Sequence, residues 1–227
     1  MEVMLDQQVL SKFPDTKIAI LRYSTRVDES SEAFWSYLKK EVLPVVEKSF
    51  KTAAVSELKN IASSRRAYKS FGIDPSRHRI SSESLLRRIK QKKELYHINT
   101  VVDTNNLISI ISGFSVGSYD TKRIGEKVVV RLGRENEFYE GIGSDKFHLR
   151  NLPVLADENG AFGSATRDSN RAIIQLQTTD IMTVIYGFTE EDIAQVLHNA
   201  EEYIKKFAFA KEIKTVILDA TNTKVTL

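Results

Sequence analysis

The stretch INTVVDTNNLISIISG, residues 98–113, decides how the fold is interpreted, because it suits either a buried helix or a strand. Apolar residues recur in it at spacings of three and four, and Gly113 stands where a helix would end, so a helix is favoured. Downstream the period falls to two, as in EKVVVRLG (126–133) and RAIIQLQ (171–177). Turn residues separate these short runs, which predicts strands.

The two ends of the chain add further elements. Residues 17–27, KIAILRYSTRV, alternate as a strand does. Helical spacing begins at Ser31, with a kink expected at Pro44, and a later helix should follow Ser81. Thr189 is predicted to cap a long amphipathic helix near the C-terminus. Early helices, many short central strands and a late helix predict an α+β fold.

Composition excludes several classes of protein. Hydrophobic residues make up 41% of the 227 positions and charged residues 28%, which is typical of a globular chain rather than a disordered or membrane protein. No apolar run approaches the ~20 residues of a bilayer span. The absence of cysteine excludes disulfides, thiol catalysis and cysteine-ligated metals. The N-terminus lacks the apolar core of a secretory signal, so we expect a cytoplasmic protein with no membrane partner.

Positive charge is concentrated in one segment. Residues 59–93 contain eleven Lys or Arg against Asp74 and Glu83, a charge of +9, although the whole chain carries only +3. Such a segment suits contacts to RNA phosphates or is simply a solvated helical face. No DNA partner is expected. The basic residues that helical spacing places on one predicted RNA surface are Arg65, Arg66, Arg87, Arg88 and Lys92.

Two common kinds of active site are disfavoured. GFSVG, residues 113–117, matches the pattern of a nucleophile elbow around Ser115, but an elbow needs a strand before it and a helix after it. Here the predicted order is reversed. The four histidines are too far apart in sequence to suggest a shared metal ion. No metal or other cofactor is expected.

Three stretches together resemble one known family. They are SSESLLRRI (81–89), the run over residues 98–143, and PVLADENGAFGSATRDSNRAIIQ (153–175). In order and spacing they are similar to the B3/B4 domain of the phenylalanyl-tRNA synthetase beta chain, and more closely to its freestanding relatives, the B3/4 domain proteins. The matching residues are Ile98, Asn99, Val101, Val102, Asp103, Asn106, Gly117, Ser118, Tyr119, Asp120, Val130, Arg131, Ala156 and Asp157.

The resemblance covers about residues 60–210 and implies a fold. We expect a sandwich of mixed and antiparallel sheets flanked by helices, with an N-terminal helical segment. Residues 1–227 would then form one domain, with a strand and helices in 1–60, the B3/B4-like core in 60–210 and a terminal strand or hairpin in 211–227.

The resemblance also implies a pocket. In the synthetase this domain hydrolyses tyrosine mischarged onto phenylalanine tRNA, and the pocket's asparagine corresponds to Asn106. Gly117 stands in place of the pocket's histidine, and the position of its glutamate falls near Arg171. Ser115, Gly117 and Ser118 are expected to line the mouth. As adjacent amides, Asn105 and Asn106 either tie their helix to a sheet or point into the pocket.

Freestanding relatives show a D-S-x-R pattern, which is present as Asp168, Ser169 and Arg171. Arg171 would grip a carboxylate or phosphate, and Asp168 would bind an amine or activate water. In the alternative interpretation Asp168 and Ser169 only shape a turn, and Arg171 pairs with a nearby acid.

Two functions follow from these features. The first is a freestanding tRNA-associated protein, not a full synthetase, that binds aminoacyl-tRNA and hydrolyses a wrong amino acid in trans. The second is a non-catalytic module for RNA or an amino-acid-like ligand. The Asp168, Ser169 and Arg171 pattern favours the first, and the missing histidine and glutamate favour the second.

Overall fold

The computed structural model describes residues 1–143 and 146–227. Its α+β architecture, with mixed and antiparallel sheets plus helices, confirms the predicted fold class. The described helices are α1 (Gln7–Lys12), α2 (Glu32–Tyr37), α3 (Leu43–Ser49), α4 (Lys59–Ser70), α5 (Ser81–Lys90), α6 (Thr100–Ser112) and α7 (Ala194–Phe207). None of the described helices is long and apolar enough to cross a membrane.

A four-stranded antiparallel sheet lies at the centre of the fold. It contains β2 (Thr16–Ser24), β3 (Ser115–Asp120), β9 (Asp180–Phe188) and β10 (Lys211–Leu218), in the order β10-β2-β9-β3. Alternate side chains of β2 enter different clusters, because successive residues of a strand face opposite sides. Ile18 and Ile20 join one cluster, and Ala19 and Leu21 join the other.

A second, mixed sheet has five strands. It contains β1 (Glu2–Leu5), β4 (Lys127–Leu132), β7 (Pro153–Asp157), β8 (Gly160–Ser164) and β11 (Lys224–Thr226), in the order β11-β1-β4-β7-β8. Only β1 and β4 pair in parallel among these strands. Between β4 and β7 along the chain, β5 (Phe138–Tyr139) and β6 (Phe147–His148) form a short antiparallel pair of their own.

The two large sheets share one hydrophobic cluster. Val3 and Val130 from the mixed sheet belong to the same buried cluster as Ile20 and Val184 from the antiparallel sheet. On its other face the antiparallel sheet packs against α6 and α7, which explains why β2 and β9 are apolar on both sides. The expected sandwich flanked by helices is therefore confirmed.

The ambiguous stretch at 98–113 is a helix, as its spacing favours. The Asn99 side chain caps α6 by accepting hydrogen bonds from the backbone N–H groups of Val101 at 3.1 Å and Val102 at 2.9 Å. Gly113 ends the helix in the left-handed conformation with φ of 74°, which glycine adopts without a steric cost. These caps fix the helix directly before the edge strand β3.

Three local predictions need a comment. The strand predicted at residues 171–177 is not observed, because this segment forms turns and irregular backbone. At the position where Pro44 is expected to disturb the helix, a π-helical turn at Leu38–Val42 separates α2 from α3, and Pro44 lies in the first turn of α3. The predicted cap at Thr189 is wrong, because α7 begins only at Ala194. The Thr189 hydroxyl instead accepts a hydrogen bond from the Glu191 N–H at 3.2 Å, in the turn before the helix.

Candidate active site beside the edge strand

An open cleft of about 840 Å³ lies beside β3, the edge strand of the antiparallel sheet. Its walls come from α5, α6, β3 and the segment 164–174. Seven of the residues predicted to form the pocket or the RNA surface meet there, although more than 80 positions separate the first from the last. They are Arg87, Arg88, Asn106, Gly117, Ser118, Asp168 and Ser169.

Asp168 is the only carboxylate among the described residues that line this cleft. Its Oδ1 atom accepts hydrogen bonds from the Tyr119 hydroxyl at 2.7 Å and from the Ser164 N–H at 3.1 Å. Loss of hydration raises the pKa of Asp168 from 3.8 to about 6, and these two hydrogen bonds limit the rise. Asp168 is therefore ionised at neutral pH and is a stronger base than an ordinary aspartate.

The position of the Asp168 carboxylate depends on two glycines. A Cβ atom at Gly117 would lie 2.4 Å from the Tyr119 hydroxyl oxygen, and one at Gly163 would lie 2.3 Å from it. Any larger residue at either position would displace the Tyr119 ring. The space next to Gly117 is thus occupied by the hydroxyl that holds Asp168.

A buried phenol continues this hydrogen-bond chain. The hydroxyl of Tyr186, on β9, lies 2.9 Å from that of Tyr119. Burial raises the pKa of both tyrosines well above 10, and the nearby Asp168 carboxylate adds to the rise. Both phenols therefore stay neutral, and Tyr119 remains a hydrogen-bond donor to Asp168 across the physiological pH range.

The two adjacent asparagines have different surroundings. Asn105 is buried, and its amide makes hydrogen bonds of 2.9 and 3.1 Å with the Ser118 hydroxyl, which lies 2.6 Å from Thr183 Oγ1. Asn105 thus ties α6 to the antiparallel sheet. Asn106 is partly exposed and lines the cleft. Its amide is available to a ligand, since it makes no hydrogen bond with any residue that the structure describes.

Ser115 and Arg171 lie outside the lining of the cleft. Ser115 is buried against α5, with its hydroxyl 3.3 Å from Ser82 Oγ. Arg171 binds Asp157 Oδ1 through both terminal nitrogens at 3.0 and 2.9 Å, and also the Gly160 carbonyl. The convergence predicted for these two residues is therefore not observed. For Arg171 the structure matches the alternative in which it pairs with a nearby acid.

Ser169 contributes mainly through the backbone of its turn. Its N–H donates to the Phe162 carbonyl at 3.0 Å, and its hydroxyl accepts from the Arg171 N–H at 3.2 Å. Ser169 is buried and touches the cleft beside Asp168. These bonds anchor the Asp168 backbone to β8.

The residues of the predicted RNA surface are divided between several places. Arg65 and Arg87 both bind the buried carboxylate of Glu83, at 3.0 and 2.8 Å. Lys92 pairs with Glu47 at 2.6 Å and lines a different cavity. Arg66 donates to the Ser63 hydroxyl at 3.1 Å on α4. Of the five predicted residues, Arg87 and Arg88 line the cleft and the other three do not.

Sequence reasoning missed several residues that line the cleft. The cations are Arg79, Lys93 and Arg167, and the aromatic residues are Tyr96 and Tyr119. Arg79 and Lys93 belong to the basic segment but were not singled out within it. Tyr119 carried a detectable signal, because it follows Gly117 by two positions on a strand and so shares its face. Arg167 and Tyr96 lie in irregular segments, where no periodicity indicates direction.

The raised pKa of Asp168 predicts a pH-dependent change in stability. The folded protein binds this proton more tightly than the unfolded chain, so the associated stability is present below about pH 4 and is lost as the pH rises through about 6. Asp168→Asn retains an oxygen for both hydrogen bonds and removes the charge. The melting temperature of the variant minus that of wild type should be more positive at pH 7.5 than at pH 4. The change in this difference corresponds to ~2–3 kcal/mol of stability. An equal difference at both pH values would contradict this.

Comparison with known families matches residues 63–218 to the family described as the B3/4 domain. Among solved structures, the chain is similar to an N-terminal fragment of the phenylalanyl-tRNA synthetase beta-subunit from Pyrococcus horikoshii, with 12% identity and a TM-score of 0.47. The match covers 95% of this chain and 53% of that chain, so the chain spans about half the length of the fragment. No curated protein gave a significant match.

Proposed function

The chain belongs to the B3/4 domain family, and we propose that it binds aminoacyl-tRNA and hydrolyses a wrongly attached amino acid in trans. One observation carries this proposal. A partly buried carboxylate of raised pKa, Asp168, lies in the same cleft as five cationic side chains. These cations are Arg79, Arg87, Arg88, Lys93 and Arg167.

The arrangement suits an amino acid esterified to an RNA end. Arg88, Lys93 and Arg167 supply contacts for phosphates near the ester, because Arg79 and Arg87 share the buried carboxylate of Glu83. Asn106 supplies a free amide for the aminoacyl group. The aliphatic side chains of Val102, Val116 and Ile174 line the same cleft and favour an apolar amino acid.

Asp168 is the proposed general base. Its Oδ1 atom is held by Tyr119 and Ser164, so the other oxygen is available to accept a proton from an attacking water. The water adds to the ester carbonyl, and collapse of the tetrahedral intermediate breaks the bond to the ribose oxygen. As it leaves, that oxygen takes up the proton that Asp168 accepted from the water. Arg167, rather than Arg171, is the proposed cationic contact beside Asp168.

The non-catalytic binding module remains the second candidate. Gly117 favours it, because this residue replaces the family's histidine and the Tyr119 hydroxyl occupies the space beside it. Arg171 favours it as well, because this side chain is bound to Asp157 and is not free to hold a substrate. The test is a time course of amino acid release from a panel of mischarged tRNAs. Release that depends on the protein supports hydrolysis, and binding without release across the panel supports the module.

RNA binding should depend on salt and on the cations of the cleft. Each phosphate contact contributes about −0.7 to −0.9 to the slope of log affinity against log salt concentration. Lys93→Ala should weaken tRNA binding and reduce the magnitude of the slope by about 1. Lys214→Ala is the control, because Lys214 is exposed on β10 outside the lining of the cleft. Equal effects of the two substitutions in fluorescence anisotropy titrations would argue against the cleft as the RNA site.

A further inference from the structure

Tyr96 is unusually exposed for an aromatic residue at the edge of a polar cleft. Solvent can reach 58% of the surface of Tyr96 and 55% of the surface of the nearby Ile98. Both side chains line the cleft. The residues between Lys93 and Asn99 form no helix or strand, so this segment presents its side chains from an irregular backbone.

Arg88 holds the Tyr96 ring in place. The guanidinium carbon lies 4.1 Å from the ring centroid, and Arg88 Nη1 donates a hydrogen bond to the Tyr96 hydroxyl at 3.1 Å. Arg88 also donates to the backbone carbonyl of Glu94. The exposed ring is thus oriented before any ligand binds, which lowers the entropic cost of stacking against it.

We propose that Tyr96 is a stacking platform for an unpaired nucleobase at the 3′ end of the RNA. An oriented aromatic ring within a group of cations is the combination that binds single-stranded nucleic acid, since every base offers a π face and every linkage a phosphate. The inference rests on the proposed function, because it places the acylated end of the RNA in the cleft. It adds that unpaired nucleotides, rather than a duplex, pass over Tyr96.

The test uses two labelled hairpin RNAs, one with four unpaired nucleotides at its 3′ end and one with a blunt end. Tyr96→Ala should weaken binding of the overhang hairpin by about 5- to 150-fold, the loss expected for one stacked base. It should leave the affinity for the blunt hairpin unchanged. Tyr96→Phe keeps the ring and its contact with the Arg88 guanidinium, so it should retain most of the affinity for the overhang hairpin. Phe209→Ala, which removes an aromatic residue of similar exposure outside the lining of the cleft, should have no effect.

The outcomes separate this inference from the proposed hydrolysis. If Tyr96→Ala binds the overhang hairpin as tightly as wild type, or loses affinity equally for both hairpins, the stacking platform is wrong even where the protein hydrolyses mischarged tRNA. A selective loss with the overhang, restored by Tyr96→Phe, supports the platform even where no hydrolysis occurs. If wild type binds neither hairpin, the platform and the RNA-based function are both overturned.

Discussion

Replacing Asp168 with Asn should slow hydrolysis of mischarged aminoacyl-tRNA by about 100- to 10,000-fold, the range typical for loss of a general base. The amide keeps the shape of the side chain and an oxygen for the hydrogen bonds from Tyr119 and Ser164, so the cleft should stay intact. Only the ability to accept a proton from water is lost. The rate of amino acid release at saturating protein is the measurement.

Two further readouts separate proton transfer from substrate positioning. The wild-type rate should rise with pH and level off above about 6, because the base must be ionised and its pKa is about 6. Affinity for the uncharged tRNA should be nearly the same in Asp168→Asn and wild type, since the phosphates are assigned to other residues. Unchanged turnover in the variant would eliminate Asp168 as the base. A variant that loses affinity for the aminoacyl-tRNA but keeps its maximal rate would assign the carboxylate to binding the amine.

Tyr119→Phe is a matched test of how the base is held. It removes one hydroxyl and keeps the ring between Gly117 and Gly163. Loss of this donor to Asp168 should raise the carboxylate's pKa further, because Tyr119 stabilises the ionised form. The pH at which the rate levels off should therefore shift upward, with a smaller loss of maximal rate than in Asp168→Asn. An identical pH profile would show that Tyr119 does not position or tune the base.

The sequence predicted the helices and strands, and some residues of the cleft, better than it predicted which charged side chains pair with each other. The helix α6, within the stretch 98–113, and the strand β2, which overlaps the predicted 17–27, followed from periodicity, because apolar spacing reflects the buried faces directly. Asp168 and Asn106 followed from the family resemblance, and both line the cleft. Ion pairing across elements leaves no periodic signal. The sequence therefore left open whether Arg171 grips a ligand or pairs with an acid, and in the structure its partner is Asp157, 14 positions earlier.

Glu83 illustrates this limit most clearly. In sequence it is one of two acids in a strongly basic segment, and charge counting treats it as a minor offset. In the structure it is fully buried in the first turn of α5, and three arginines surround it. Its oxygens lie 3.0 Å from Arg65, 2.8 Å from Arg87 and 3.7 Å from Arg79. One carboxylate thus holds α4, α5 and the wall of the cleft together.

Glu83→Gln should destabilise the protein by about 3–5 kcal/mol, because removing one partner of a buried ion pair leaves the others uncompensated. The three arginines remain partly exposed, with 21–42% of each side chain accessible, so water screens their repulsion and favours the lower end of this range. For a chain of this size, such a loss lowers the melting temperature by about 6–20 °C. Circular dichroism during heating measures it.

Glu47→Gln is the matched control for this substitution. It removes the partner of Lys92 from a pair in which 72% of the lysine and 38% of the glutamate side chain are exposed. Exposed pairs contribute about 0–1 kcal/mol, so the melting temperature of this variant should stay close to that of wild type. The gap between the two variants should narrow in high salt, since added anions screen the uncompensated arginines of Glu83→Gln. Equal melting temperatures for the two variants at low salt would mean that the arginines around Glu83 are held by other contacts.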